Sequence, residues 1–309
     1  INVDSTEENR RNYREMLFRT EGARKYISGV ILYDETIRQK GIDGNPLVDI
    51  LHNQDIIPGI KVDMGGKDLA NSPKEKVTEG LDGLRERLSE YRDLGVRFTK
   101  WRAIITIGQN IPTSSCIEIN AHALARFAAL SQETGMVPIV EPEVLMDGEH
   151  SIDRCFEVTE ITLREVFYHL GKQKVALEGT LLKPNMVLSG KSASDRASSE
   201  EVGDQTVACF KRVVPAAIPG IVFLSGGQGD EESTSNLNSI NQKALSVGVP
   251  WQLSFSYGRG LQTAPLKEWL GLAANVQNAQ SAFIHRARLT SAARQGGYSK
   301  KMEMEVATN

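Results

Sequence analysis

RFTKWRAIITIGQNIPTSSCIEINAHALARFAALSQETGMVPIVEPEV, residues 97–144, decides the fold. Two β-branched apolar runs, RFTKWRAIITI (97–107) and MVPIVEPEV (136–144), flank a longer helical pattern, the mark of parallel strands joined by a crossover helix. The alternation continues in both directions. Upstream lie SGVILYD (28–34) and IIPGIKVD (56–63), and downstream VALEGTLLKPN (175–185), GIVFLSGG (220–227) and WQLSFSYG (251–258), so seven strands are legible.

A (β/α)8 barrel spends on the order of 30 residues on each unit, and a chain of 309 residues has room for one. Seven strands is one too few. The chain opens on a helix signal, Ser5-Thr6-Glu7-Glu8, of the kind that follows a strand in such a barrel. The expectation is therefore an α/β protein of the TIM (β/α)8 barrel class, with its first strand upstream of Ile1. One domain spans residues 1–298, followed by a tail over 299–309. A doubly wound open sheet tolerates seven strands, but no GxGxxG follows an early strand here. Ser72-Pro73-Lys74-Glu75 reads as a capping box opening a helix whose stripe is Leu81, Leu84, Leu88, Tyr91 and Leu94. Ser198-Ser199-Glu200-Glu201 marks another helix start.

With 40% hydrophobic residues and a net charge of −3, the sequence reads as soluble and globular. Its apolar runs stay below the roughly 18 residues of a membrane span, and INVDSTEENRR is not signal-like. Neither membrane nor nucleic acid is an expected partner. Three scattered cysteines, Cys116, Cys155 and Cys209, argue against a disulfide framework and for a reducing, cytoplasmic setting. The five histidines show no HExxH spacing and no neighbouring cysteine pair, so the expected chemistry uses no metal and no cofactor.

Barrel enzymes carry their chemistry at the C-terminal strand ends. Here Lys61 and Asp63, Lys100 and Arg102, Glu141 and Glu143, and Lys183 fall at or near such ends, among apolar residues. Charges buried together must pair or neutralise, and a lysine among cations in a dry pocket loses its proton readily. Such an amine attacks a ketone to form a Schiff base. Lys183, in LLKPN, is the candidate nucleophile; a structural ion pair is the alternative use of the same residue. In Glu141-Pro142-Glu143 the period of two sends both carboxylates to one side. Glu141 is then the general acid and base and Glu143 its orienting partner, against the alternative of a salt-bridge ladder. Ser225, Gly226, Gly227, Gly258 and Arg259 follow the last two strands, where barrels commonly hold phosphate. The Gly-Gly pair alone is as well explained by a plain turn.

The ordered set GVILYDET (29–36), PGIKVD (58–63), TKWR (99–102), PIVEPEVL (138–145), EGTLLKPNMV (178–187), FLSGGQ (223–228) and FSYGR (255–259) resembles the class I fructose-1,6-bisphosphate aldolases. The likeness runs from about Ser5 to Tyr298. It implies that Lys183 forms the Schiff base, Glu141 moves protons, and Lys100 stabilises charge near the reacting carbons, with Glu143 supporting. It further implies that Arg102 contacts substrate, that Ser225, Gly226 and Arg259 hold one phosphate with Ser256 and Gly258 beside them, and that Lys61 lies near the other. The reaction so implied is reversible cleavage of fructose 1,6-bisphosphate to dihydroxyacetone phosphate and glyceraldehyde 3-phosphate, in glycolysis and gluconeogenesis, by a homotetramer.

Three departures stand beside the likeness. The family's first strand carries a bond-cleaving aspartate and distal-phosphate groups that have no counterpart here; Asp34 is read as an ordinary strand-end residue. The chain ends in MEMEVATN rather than in a tail with a terminal tyrosine, and Met64 replaces the lysine usual after KVD. Two other readings remain open on the sequence: a non-catalytic barrel serving as a binding or scaffold protein, and a Schiff-base enzyme for another sugar phosphate. Plastid and bacterial members share features such as KYISG (25–29), which leaves a plastid location as an alternative.

Overall fold

The computed structural model describes residues 2–305, which form nine strands, most of them carrying β-branched residues. The strands are β1 (Gly29–Leu32), β2 (Ile57–Lys61), β3 (Gly66–Asp68), β4 (Lys76–Thr78), β5 (Phe98–Ile105), β6 (Val137–Val144), β7 (Leu181–Leu182), β8 (Gly220–Phe223) and β9 (Gln252–Phe255). Seven of them make one parallel sheet in the order β1-β2-β5-β6-β7-β8-β9. Helices pack around them: α1 (Glu7–Phe18) precedes β1, and α2 (Asp34–Arg38), α3 (Leu47–His52), α4 (Leu84–Asp93) and α5 (Ser114–Glu133) lie in the connections between strands. Continuing along the chain are α6 (Ile152–Lys172), α7 (Ser199–Val213), α8 (Asp230–Val247), α9 (Arg259–Trp269) and α10 (Val276–Arg294).

The seven expected parallel strands are all present, and the sheet curls in the TIM-barrel manner. Among the described residues, the outer edges of β1 and β9 pair with no strand, leaving a seam. A cavity of about 530 Å³ lies along that seam, lined by both edge strands and by the inner ends of α1 and α10. Ile1 and residues 306–309, parts of the expected domain and tail, lie outside the described residues.

The core runs without a break from the inner faces of the strands to the buried stripes of the helices. Trp101 on β5 and Phe127 on α5 are both fully buried, their ring centroids 5.7 Å apart. Side-chain oxygens close the helix starts: Thr6, Thr113, Ser151 and Ser198 each accept an N–H from three residues on. The Ser198 start is as expected; at the N-terminus it is Thr6, not Ser5, that caps.

The expected helix at Ser72-Pro73-Lys74-Glu75 does not form. That stretch, with Lys74 at φ +68°, belongs to the loop that joins the two strands of the antiparallel hairpin β3–β4. Its Glu75 carboxylate accepts the backbone N–H and the hydroxyl of Thr113 instead, capturing the start of α5. The helix begins at Leu84; Leu84, Leu88 and Tyr91 are buried as the stripe required, but Leu81 precedes it and Leu94 is exposed. The VALEGTLLKPN run is mostly not strand: Leu177–Gly179 is a 3-10 turn and only two residues pair. Asp34 starts α2, where its carboxylate takes the Tyr91 hydroxyl at 2.9 Å and an ion pair from Arg38.

Glycine is required at position 59 by close approach. A Cβ there lies 2.2 Å from the Phe98 ring, which also crowds Gly29 on the next strand at 3.0 Å. Phe98 thus lies across β2 and β1 and sets the curl at this end of the sheet. Gly59→Ala is expected to lower stability by about 1–3 kcal/mol through overpacking. Adding Phe98→Leu should recover part of that loss, and urea unfolding of both variants checks the coupling.

Candidate active site

The pleat of four neighbouring strands assembles the site. Lys61 on β2 pairs in register with Lys100 on β5; Arg102, two residues further, pairs with Glu141 on β6, and Ile104 with Glu143. The Lys183 N–H donates to the Val140 carbonyl at 2.8 Å, extending the β6–β7 ladder by one rung and placing Lys183 beside Glu141. A period of two therefore sends Lys61, Asp63, Lys100, Arg102, Glu141, Glu143 and Lys183 into one cluster.

Glu141 is its centre. Its two oxygens meet Lys183 Nζ at 3.2 Å and Lys100 Nζ at 3.0 Å, with all three side chains at most one-tenth exposed. Asp63, which sequence reasoning noted but gave no role, holds the other flank: Lys61 Nζ is 2.7 Å and Lys100 Nζ 3.6 Å from its carboxylate. It also accepts the N–H groups of Gly65 and Arg102. The clue was available, because Lys61-Val62-Asp63 shows the same period of two as Glu141-Pro142-Glu143. Glu143 does not reach Lys100 or Lys183; its ion pair is with Arg102.

Burial lowers the pKa of Lys183 below the ordinary lysine value; Glu141 opposes this and Lys100 reinforces it. Burial also pushes Glu143 up, against the pull of Arg102. For Asp63 burial works upward as well, but Lys100, Lys61 and the Arg102 N–H together outweigh it and hold the carboxyl below its usual range. The outcome is a fixed anion at Asp63 and an amine at Lys183 that gives up its proton early.

Lys61, Lys100, Lys183, Ser256 and Gly258 line the seam cavity together. Ser225 and Gly226, which follow β8, and Arg259, which starts α9, are not among the lining residues. Gly226 and Gly227 turn the chain at φ +64° and +111°, a conformation that frees consecutive N–H groups at the start of α8. The Arg259 guanidinium lies against this turn, 3.6 Å from where a Gly227 side chain would begin. Arg102, in register with Glu141, and Glu143, two residues beyond it, stand outside the cavity lining, as does Glu141 itself. Tyr298, the last tyrosine, is buried, and its hydroxyl donates to Glu303 at 2.8 Å.

A buried lysine held against a carboxylate, beside a glycine turn with an arginine, is the equipment of imine chemistry on a phosphorylated carbonyl compound. A family model described as fructose-bisphosphate aldolase class-I matches residues 1–309. The chain belongs to the class I fructose-bisphosphate aldolases. It is 57% identical over 289 residues to a probable fructose-bisphosphate aldolase class 1 of Xanthomonas campestris pv. campestris, covering 93% of this chain and 86% of that protein. A cytosolic aldolase of Arabidopsis thaliana is 51% identical, covering 96% and 82%. The solved aldolase of Plasmodium falciparum, crystallised with TRAP and a small-molecule inhibitor, superposes with a TM-score of 0.94 at 48% identity, covering 96% of this chain and 86% of that one. The family is one of glycolytic lyases, and a non-catalytic scaffold is the less favoured reading of this aldolase chain.

Two tests follow from the electrostatics. Glu141→Gln removes the charge that partly restores the Lys183 proton, so the pH midpoint for acylation of Lys183 should move further down; a midpoint that stays or rises contradicts this account. Asp63→Asn removes the carboxylate partner of Lys61 and one of the two partners of Lys100, and should cost up to about 3–5 kcal/mol at neutral pH. The stability that Asp63 carries is complete above about pH 4, the ordinary carboxylate value. It drains as pH falls through the depressed folded pKa, so in urea unfolding the variant should lose less on acidification than the parent.

Proposed function

We propose that this chain reversibly cleaves fructose 1,6-bisphosphate through a Schiff base on Lys183. The observation that carries the proposal is the buried contact of Lys183 Nζ, which lines the cavity, with Glu141, 3.2 Å away. The neutral amine adds to the substrate ketone, giving a carbinolamine. Glu141 donates the proton with which its hydroxyl leaves as water, so a protonated imine remains. That cation accepts the electron pair released when the C3–C4 bond breaks, while the C4 hydroxyl gives its proton to the carboxylate left at Glu141 by the dehydration, and glyceraldehyde 3-phosphate departs. The enamine left behind is reprotonated at carbon, and hydrolysis returns dihydroxyacetone phosphate and the free amine.

Lys100, 3.0 Å from Glu141, keeps that carboxylate oriented and stabilises negative charge near the reacting carbons. Arg102 is held by Glu143 as a substrate contact. One phosphate is assigned to Ser225, Gly226 and Arg259 with Ser256 and Gly258, the other to the neighbourhood of Lys61. The relatives' names, which specify fructose bisphosphate and, for several plant proteins, the cytosol, support the same substrate and a cytoplasmic location. The resemblance supports a homotetramer, which sedimentation measures.

Borohydride reduction in the presence of dihydroxyacetone phosphate, followed by peptide mapping, is expected to label Lys183. Lys183→Met should abolish both label and cleavage, and Glu141→Gln should slow cleavage by roughly 10²- to 10⁴-fold. Absence of label at Lys183 in the parent protein would remove the mechanism.

A further inference from the structure

The two halves of the assigned phosphate grip come from different strands. Ser225, Gly226 and Gly227 follow β8 and lead into α8, while Ser256, Gly258 and Arg259 follow β9 and lead into α9. The last ladder rung between them is the Ser256 N–H on the Phe223 carbonyl, at 2.8 Å. Beyond it the chains diverge, and the spacing of the two loops needs another device.

Tyr257 stands between the two β9-side groups, Ser256 and Gly258, and is itself among the residues lining the cavity, while its hydroxyl reaches across to α8. The ring is buried, tilted against Phe255 with centroids 5.6 Å apart. Its hydroxyl donates to the backbone carbonyl of Ser233, in the first turn of α8, at 2.9 Å. That turn is held from its far side by Arg286, whose Nη2 donates to Thr234 Oγ1 at 2.8 Å and to the Asp230 carbonyl at 3.2 Å. Arg286 is in turn ion-paired with Glu303. The α8 start is thus a fixed post, and Tyr257 ties the β9 loop to it. Gly260 completes the joint: a Cβ there lies 3.1 Å from the Tyr257 ring, 3.3 Å from Ser225 Cβ and 3.3 Å from Ser233 Oγ, so only glycine lets the first turn of α9 seat this closely.

We infer that Tyr257 is a positioning residue, whose hydroxyl sets the distance between the glycine turn after β8 and Arg259 and so tunes affinity for the substrate phosphate. The inference rests on the phosphate assignment of the preceding subsection. It predicts a defect confined to phosphorylated ligands, because the Lys183–Glu141 pair lies on other strands and makes no contact with Tyr257.

Tyr257→Phe deletes the one hydrogen bond and keeps the ring. Borohydride trapping at Lys183 is measured with dihydroxyacetone phosphate and with unphosphorylated dihydroxyacetone. In parallel, the Kd of inorganic phosphate is measured by calorimetry on the whole protein. The expected result is a five- to tenfold weakening, about one hydrogen bond's worth, for dihydroxyacetone phosphate and inorganic phosphate. Trapping of dihydroxyacetone should be unchanged. Gly260→Ala, which spreads the same joint from the other side, should give the same selective loss, and thermal unfolding of both variants confirms that each is folded. Equal losses with both ketones, or no loss for phosphate in either variant, would overturn the inference. A parent protein in which neither ketone labels Lys183 would instead sink the Schiff-base reading, and the phosphate calorimetry would still decide the role of Tyr257.

Discussion

A single carboxylate shared by two lysines governs this structure. Glu141 lies between Lys100 and Lys183 with almost no access to water. Isolated, any one of the three charges is too costly to bury; together they are held by two short contacts and by the anion at Asp63 on the far side of Lys100. The arrangement is deliberately unbalanced: cations outnumber fully formed anions around the mouth, and the surplus falls on the amine that burial already disfavours as a cation.

Strand geometry makes that arrangement possible. The parallel register places Lys61 opposite Lys100 and Arg102 opposite Glu141, so adjacent levels of the sheet alternate cation with cation and cation with anion. Period-two pointing does the rest, bringing alternate residues of β5 and β6 to the same side. The loops to which we assign phosphate are built on different physics. They rely on backbone N–H groups exposed by left-handed glycines and on helix starts, and are fixed in space by contacts made well behind the ligand surface.

Much of this was legible in the chain. Charges set inside apolar, β-branched runs can only be strand-end groups with a purpose, and that logic located Lys183, Glu141, Lys100 and Arg102. The same logic underused Asp63, because a lysine–aspartate pair two residues apart looks self-sufficient until Lys100 is seen to share it. The capping-box pattern at residues 72–75 misled because its glutamate had a better partner 38 residues on, in Thr113. Local capping and tertiary capture use the same side chains, and periodicity cannot tell them apart. The brevity of β7 was hidden for a similar reason: apolar residues pack equally well in a 3-10 turn as in a strand. Tyr257 gave no signal at all, since a buried tyrosine beside a glycine reads as ordinary core.

Lys100 and Glu141 lie on β5 and β6 and Lys183 at the end of β7, and each of these three strands has a paired neighbour on both sides. Hydrogen-bonded ladders on both flanks therefore brace the backbone under all three charged groups, so the short contacts among them depend on side-chain rotamers rather than on a loop's freedom.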